Sequence, residues 1–180
     1  MTVTNTKNNM ATRNLTMVVN RQHYEDFTER MMDITPYSMT EYSKVNMYLH
    51  HDGYPEWQGV QLANWLKANP FQDSARVAAK LVHDHYYDSC YLYNNPNQID
   101  HQYTYIIFVG DGETLIFCYD QYTDKKVFCY TPDEIISKYV NKDDPMDYTD
   151  FANGETRLGS SISDDVKYHS NKLLDLLQQL

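Results

Sequence analysis

Positive charge, membrane-length apolar runs, paired cysteines and glycine-rich loops are what this chain has least of. Its 15 lysines and arginines are outweighed by 25 acids, for a net charge of −10. A field of that sign repels nucleic-acid phosphate and offers no counterion-release gain, so direct nucleic-acid binding is not expected and a basic partner suits the surface better. The first residues lack the basic-then-apolar order of a secretory signal, and the apolar runs fall short of the about 18 residues that cross a bilayer. A soluble cytoplasmic protein with no membrane partner is the expectation.

Cysteine is limited to Cys90, Cys118 and Cys129. An odd count without zinc-type spacing, with two members in apolar strand-like runs, predicts reduced thiols acting as small hydrophobes rather than a disulfide framework. Gly110-Asp111-Gly112 is not a phosphate loop, because it lies between two strand patterns rather than before a helix. No cofactor is expected.

What the chain does have is tyrosine, 17 of 180 residues. Each ring offers apolar area with a polar tip and loses little rotamer entropy on contact, which suits protein interfaces as well as core rims. Acidic charge also accumulates along the chain. Residues 1–45 carry five basic and five acidic side chains, whereas residues 141–180 carry four and eight.

The length suits one hydrophobic core, since a chain of this size buries roughly 70% of its unfolded surface without staples. Residues 1–12 are polar and aperiodic and read as a loose tail. Residues 14–20 have the β-branched content of a first strand. Tyr24, Phe27, Met31 and Ile34 recur at helical spacing, which predicts an amphipathic helix over 22–34 that stops near Pro36. Residues 44–50 alternate as a half-buried strand. Asp52-Gly53 supplies a turn, a helix runs from Pro55 to about Ala68, and a second, capped by Asp73 or Ser74, carries Val77, Leu81 and His85 on one side. Residues 103–131 read as a three-strand antiparallel meander turning at Asp111-Gly112 and near Asp124. Thr131, Pro132 and Glu134 open a capped helix.

These elements define a single α+β domain over 13–140: an antiparallel sheet, made of the meander and one or two N-terminal strands, packed in two layers against two to four helices. Residues 141–163 read as an acidic linker. Residues 164–180 read as a leucine-rich helix with Val166, Leu173, Leu177 and Leu180 near a heptad seam, which is expected to dock on the domain in preference to forming a homodimer.

The candidate site lies at 50–57. His50, His51, Asp52, Tyr54 and Trp57, joined by Tyr86 and Tyr87 from the end of the second long helix, gather polar and aromatic groups at a strand-to-helix turn. They are candidates for partner or ligand binding rather than catalysis. Histidines 50, 51, 83, 85 and 101 stand near Asp52, Asp84 and Asp100, the residue types a metal site needs. Yet His83 and His85 are two apart and leave a helix on different sides, so no metal ligands are assigned. A turn held by hydrogen bonds explains His50, Asp52 and Tyr54 equally well.

The segment 48–65 resembles a family of small uncharacterised proteins found mostly in bacteriophages and mobile elements. Its recurring core is a strand, His-x-Asp-Gly-Tyr-Pro and a helix beginning near a glycine. His50, Asp52, Gly53, Tyr54, Pro55 and Gly59 occupy the matching positions, and 105–117 is similar to the family's closing hairpin. The resemblance covers about residues 44–130 and carries no reaction. It implies a phage accessory protein acting in the host cytoplasm, which binds and modulates or inhibits a host or host-defence protein through an acidic, tyrosine-rich surface. Two alternatives stand beside it: a protein that binds or cleaves a small ligand, such as a nucleotide signal, in a pocket around His50 to Tyr54, and an acidic DNA mimic that blocks a DNA-processing enzyme.

Overall fold

A computed structural model describes residues 12–85 and 90–140. Among them five α-helices and six strands form an α+β domain built on one mostly antiparallel sheet. Strand β1 (Asn14–Asn20) leads into α1 (Arg21–Glu29), the single turn α2 (Pro36–Met39) and β2 (Asn46–Leu49). A π-helical turn at Pro55–Gly59 opens α3 (Val60–Ala68), which is followed by α4 (Ser74–His85) and the short β3 (Tyr91–Leu92). The meander is β4 (Tyr103–Val109), β5 (Leu115–Asp120) and β6 (Lys125–Tyr130), and α5 (Pro132–Tyr139) closes the described chain.

The strand order is β3-β2-β1-β4-β5-β6. β1 pairs antiparallel with β2 and parallel with β4, from Asn14 opposite Tyr103 to Asn20 opposite Val109. That parallel pair places β1 at the centre, where both of its faces are buried. Period 2 then divides its side chains between two cores. Val18 joins Met47, Leu49, Tyr105, Ile107 and Ile116 beneath α3, α4 and α5. Leu15, Met17 and Val19 join Tyr48, Ile106, Phe108 and Phe117 beneath α1 and α2.

Helices therefore cover both faces of the sheet in three layers, where the sequence predicts two. Tyr48, expected on the solvated side of a half-buried strand, is buried for the same reason. Strand β3 adds a sixth strand beyond the expected set, and the four-residue α2 adds a fifth helix.

Local chemistry explains most boundaries. Asp73 caps α4 by accepting from the Arg76 N–H at 2.8 Å, and Thr131 and Glu134 form a reciprocal capping box on α5. Helix α1 ends five residues early. The Met32 N–H donates to the Phe27 carbonyl at 2.9 Å and the Met31 N–H to Thr28 at 3.1 Å, the Schellman pattern. Met31 consequently takes φ 55° and leaves the apolar face on which its spacing put it. Thr12, assigned to the tail by its polarity, is buried. The rest of that tail (1–11), the acidic linker (141–163) and the leucine-rich segment (164–180) lie outside the described residues.

Candidate functional site

The His-His-Asp-Gly-Tyr-Pro turn sits at the end of the sheet where β1 and β4 begin and β2 finishes, here called the lower end. Asp52 holds φ 55°, a left-handed conformation that a short polar side chain tolerates. Gly53 answers a close approach of chains. A Cβ there would lie 2.9 Å from both the Asn14 Cβ and the Thr12 carbonyl oxygen. The Gly53 N–H donates to that Thr12 carbonyl at 2.8 Å, and the Gly53 carbonyl accepts from the buried Tyr105 hydroxyl at 2.8 Å. Pro55 is buried, and the Tyr54 carbonyl accepts from the N–H groups of Trp57 and Gln58 at 3.0 and 2.8 Å. The turn is thus tied to β1 and β4 by backbone groups.

Its side chains diverge. His50 Nδ1 shares a 2.9 Å hydrogen bond with the Tyr48 hydroxyl, in the core beneath α1 and α2. The His51 ring stands edge-on to His50, 4.8 Å between centroids. Tyr54 instead lies 6.4 Å from Tyr103, which packs on the opposite core. Asp52 is exposed and Trp57 half-buried. His50 and Tyr54 therefore serve opposite faces of the sheet and do not converge on one pocket. Tyr86 and Tyr87 lie outside the described residues. His83 is exposed and bonded to Asp84 at 3.0 Å, whereas buried His85 donates from Nδ1 to the Leu81 carbonyl at 2.9 Å. Burial pushes the Asp84 carboxyl up, but hydrogen bonds from His83, Lys80 and Trp65 outweigh it and hold the group below the usual range. Among the described residues no group of three or more His, Cys, Asp or Glu is arranged to hold a metal ion.

A second constellation surrounds the Tyr48 end of this turn. Tyr91 and Tyr93 stand 6.1 and 5.9 Å from the Tyr48 ring, brought there by the pairing of β3 with β2. Burial raises the pKa of the Tyr48 hydroxyl; the Arg13 charge opposes that shift, and Asp100 adds to it. Arg13 Nη1 donates to Asp100 Oδ2 at 2.6 Å, and the Tyr122 hydroxyl donates to Asp100 Oδ1 at 3.3 Å. Beside this pair Tyr37, Tyr122, Pro36, Pro96, His101 and Gln121 line a recess of about 360 Å³. Four tyrosine rings, Tyr37, Tyr91, Tyr93 and Tyr122, are exposed on this side, Tyr37 to 77% and Tyr122 to 64%.

The floor of the recess is a fixed polar relay. His101 Nδ1 meets the Ile99 carbonyl at 2.8 Å, so that nitrogen carries the proton. Nε2 then accepts from the Thr104 hydroxyl at 2.7 Å, and Thr104 accepts from the Gln121 amide at 2.9 Å. Burial holds the His101 pKa below its ordinary value. Thr104 is wholly buried and cannot meet a substrate as a nucleophile. The arrangement presents rings, amides and an ion pair, groups suited to binding.

Sequence reasoning missed Arg13, Tyr37 and Tyr122. A signal was present for the tyrosines, because each sits in a turn-forming stretch, Thr35-Pro36-Tyr37-Ser38 and Asp120-Gln121-Tyr122-Thr123, with no core to fill. No protein family, curated protein or solved structure matches the chain.

Proposed function

We propose that this is a phage accessory protein that binds and modulates a host or host-defence protein, and that its binding surface is the tyrosine-lined lower end around Arg13 and Asp100. The observation that carries the reading is the gathering of exposed Tyr37, Tyr91, Tyr93 and Tyr122 on one side of the sheet, around one ion pair. Tyrosine and arginine are the residues that dominate interface energetics, and their concentration at an otherwise acidic surface suits a partner with a basic rim. The divergence of His50 and Tyr54 leaves the small-ligand reading without a common pocket.

The test is capture of host proteins from a bacterial lysate by the full chain and by a Tyr37→Ala/Tyr122→Ala variant, followed by titration of the purified partner. A host protein held stoichiometrically by the parent and bound at least 10-fold more weakly by the variant supports the proposal. A partner bound equally by both, or lost instead on His51→Ala/Asp52→Ala substitution, moves the site to the turn. No stoichiometric partner sinks the reading.

A further inference from the structure

We propose that β3 is the seam of a symmetric dimer, in which it pairs antiparallel with the β3 of a second copy of this chain about Leu92. The inference does not rest on the binding reading above: Tyr37 and Tyr122 play no part in it. The sheet ends in β3 on one side and β6 on the other, and the two edges are built differently. β6 carries exposed Lys125 and Lys126, and a register shift opposite Cys118 and Tyr119 leaves Val127 as an extra residue. Charge and a bulge are devices by which an edge strand refuses a further neighbour. β3 has neither, and presents Tyr91, Leu92 and Tyr93 to solvent instead, Leu92 to 57%.

Pairing with β2 fixes which backbone groups of β3 are free. Tyr91 stands opposite Tyr48 and Leu92 opposite Met47, and the Tyr93 N–H donates to the carbonyl of Asn46, its partner in the same register, at 3.0 Å. In an antiparallel pair such hydrogen-bonded positions alternate with non-bonded ones. Tyr91 and Tyr93 therefore direct their N–H and carbonyl groups to β2, and Leu92 directs both of its own to the open edge. A donor and an acceptor on one exposed residue are what an incoming strand takes up.

The edge is complementary to itself. With Leu92 on a two-fold axis, its N–H and carbonyl meet the carbonyl and N–H of the other Leu92. The sequence Tyr91-Leu92-Tyr93 reads the same in either direction, so Tyr91 of each copy falls opposite Tyr93 of the other. Those flanking positions are non-bonded pairs, in which side chains come closest, and aromatic pairs there are favourable. Tyr91 and Tyr93 already stand 6.1 and 5.9 Å from the Tyr48 ring, and the seam joins two such clusters on one face. Charge also favours a second copy. Residues 89–99 contain no charged side chain although the chain carries −10. Two copies meet there without like charges opposed, while a basic partner finds no carboxylate to hold on that strand. β3 is only two residues long, so the seam is small and the dimer is weak and concentration-dependent.

The experiment follows self-association of the full chain by sedimentation from about 5 to 500 µM, a range suited to an interface of this size. Leu92→Pro deletes the N–H aimed at the second copy, and proline is tolerated on an edge strand whose N–H faces solvent. Leu92→Val keeps that N–H, and circular dichroism checks that both variants are folded. The expected result is a parent dimer that Leu92→Val retains within about 3-fold and Leu92→Pro weakens about 10-fold or more. A cross-link decides the question without the proline. In a background with Cys90→Ser and Cys129→Ser, Leu92→Cys puts the two thiols on Cα atoms about 5.5 Å apart, within disulfide reach. Two Asn94→Cys sites would lie about 14 Å or more apart. Oxidation at the upper concentration should therefore give dimer at position 92 and not at 94. A parent that stays monomeric throughout, a dimer that Leu92→Pro leaves unchanged, or equal cross-linking at both positions overturns the seam.

Discussion

The Tyr105 hydroxyl donates to the Gly53 carbonyl at 2.8 Å, joining the middle of β4 to the turn after β2. Burial raises the pKa of this hydroxyl well above its ordinary value, which favours the protonated, donating form. Removing the donor with Tyr105→Phe strands a buried carbonyl, and the expected loss is about 1–3 kcal/mol. Gly53→Ala should cost a similar amount, because the new methyl meets Asn14 and the Thr12–Arg13 backbone. Urea denaturation of both variants measures this. A change under 0.5 kcal/mol in each would show that the turn is not anchored as described.

Thr16 offers the opposite sign. Its hydroxyl is buried on the central strand and has no hydrogen-bond partner. Thr16→Val replaces an unpartnered polar group by a methyl of similar shape, and the variant should be more stable by about 1 kcal/mol. A lower denaturation midpoint would show that the Thr16 hydroxyl contributes to stability and overturn this reading.

Met31→Gly should also stabilise the fold, by about 1 kcal/mol, since glycine takes a positive φ without strain and the lost side chain packs on nothing described. Thermal melts of the two proteins decide it. A destabilised glycine variant would mean that Met31 already makes an intramolecular contact.

The His101 relay sets a pH limit. Its pKa is lowered in the folded chain, so between that value and the unfolded value of about 6.5 the unfolded state binds more protons. The stability contributed by neutral His101 is complete above pH 6.5 and falls as the pH drops below it. Protonation also removes the acceptor that Thr104 uses. Unfolding free energy measured from pH 8 to 5 should decline below about 6.5, and His101→Gln should flatten that decline. An unchanged slope in the variant would place the titration elsewhere.

The meander, the capped α5 and strand β1 were legible in the sequence because each is specified by neighbours: alternation, an Asp-Gly turn, a Thr-Pro-x-Glu cap. The layering was not, because it depends on the pairing of β1 with β4, strands far apart in the chain whose patterns do not name each other. Once β1 lies inside the sheet, Leu15 and Val18 both need cover, and a second helical layer follows. The turn at Asp52-Gly53 was read correctly as a turn, but its side chains could not be assigned to faces without that layering. Arg13 and Asp100 met for the same reason, each standing just before one of the two parallel strands.

The parallel pairing of Asn14 with Tyr103 also sets a timetable for synthesis. The central strand β1 leaves the ribosome early, yet its β4 neighbour is translated only after most of the domain has already emerged. At about 5–20 residues per second, that interval lasts several seconds or more. Throughout it, one edge of β1 stands open, and this nascent stage is where a chaperone would be needed most.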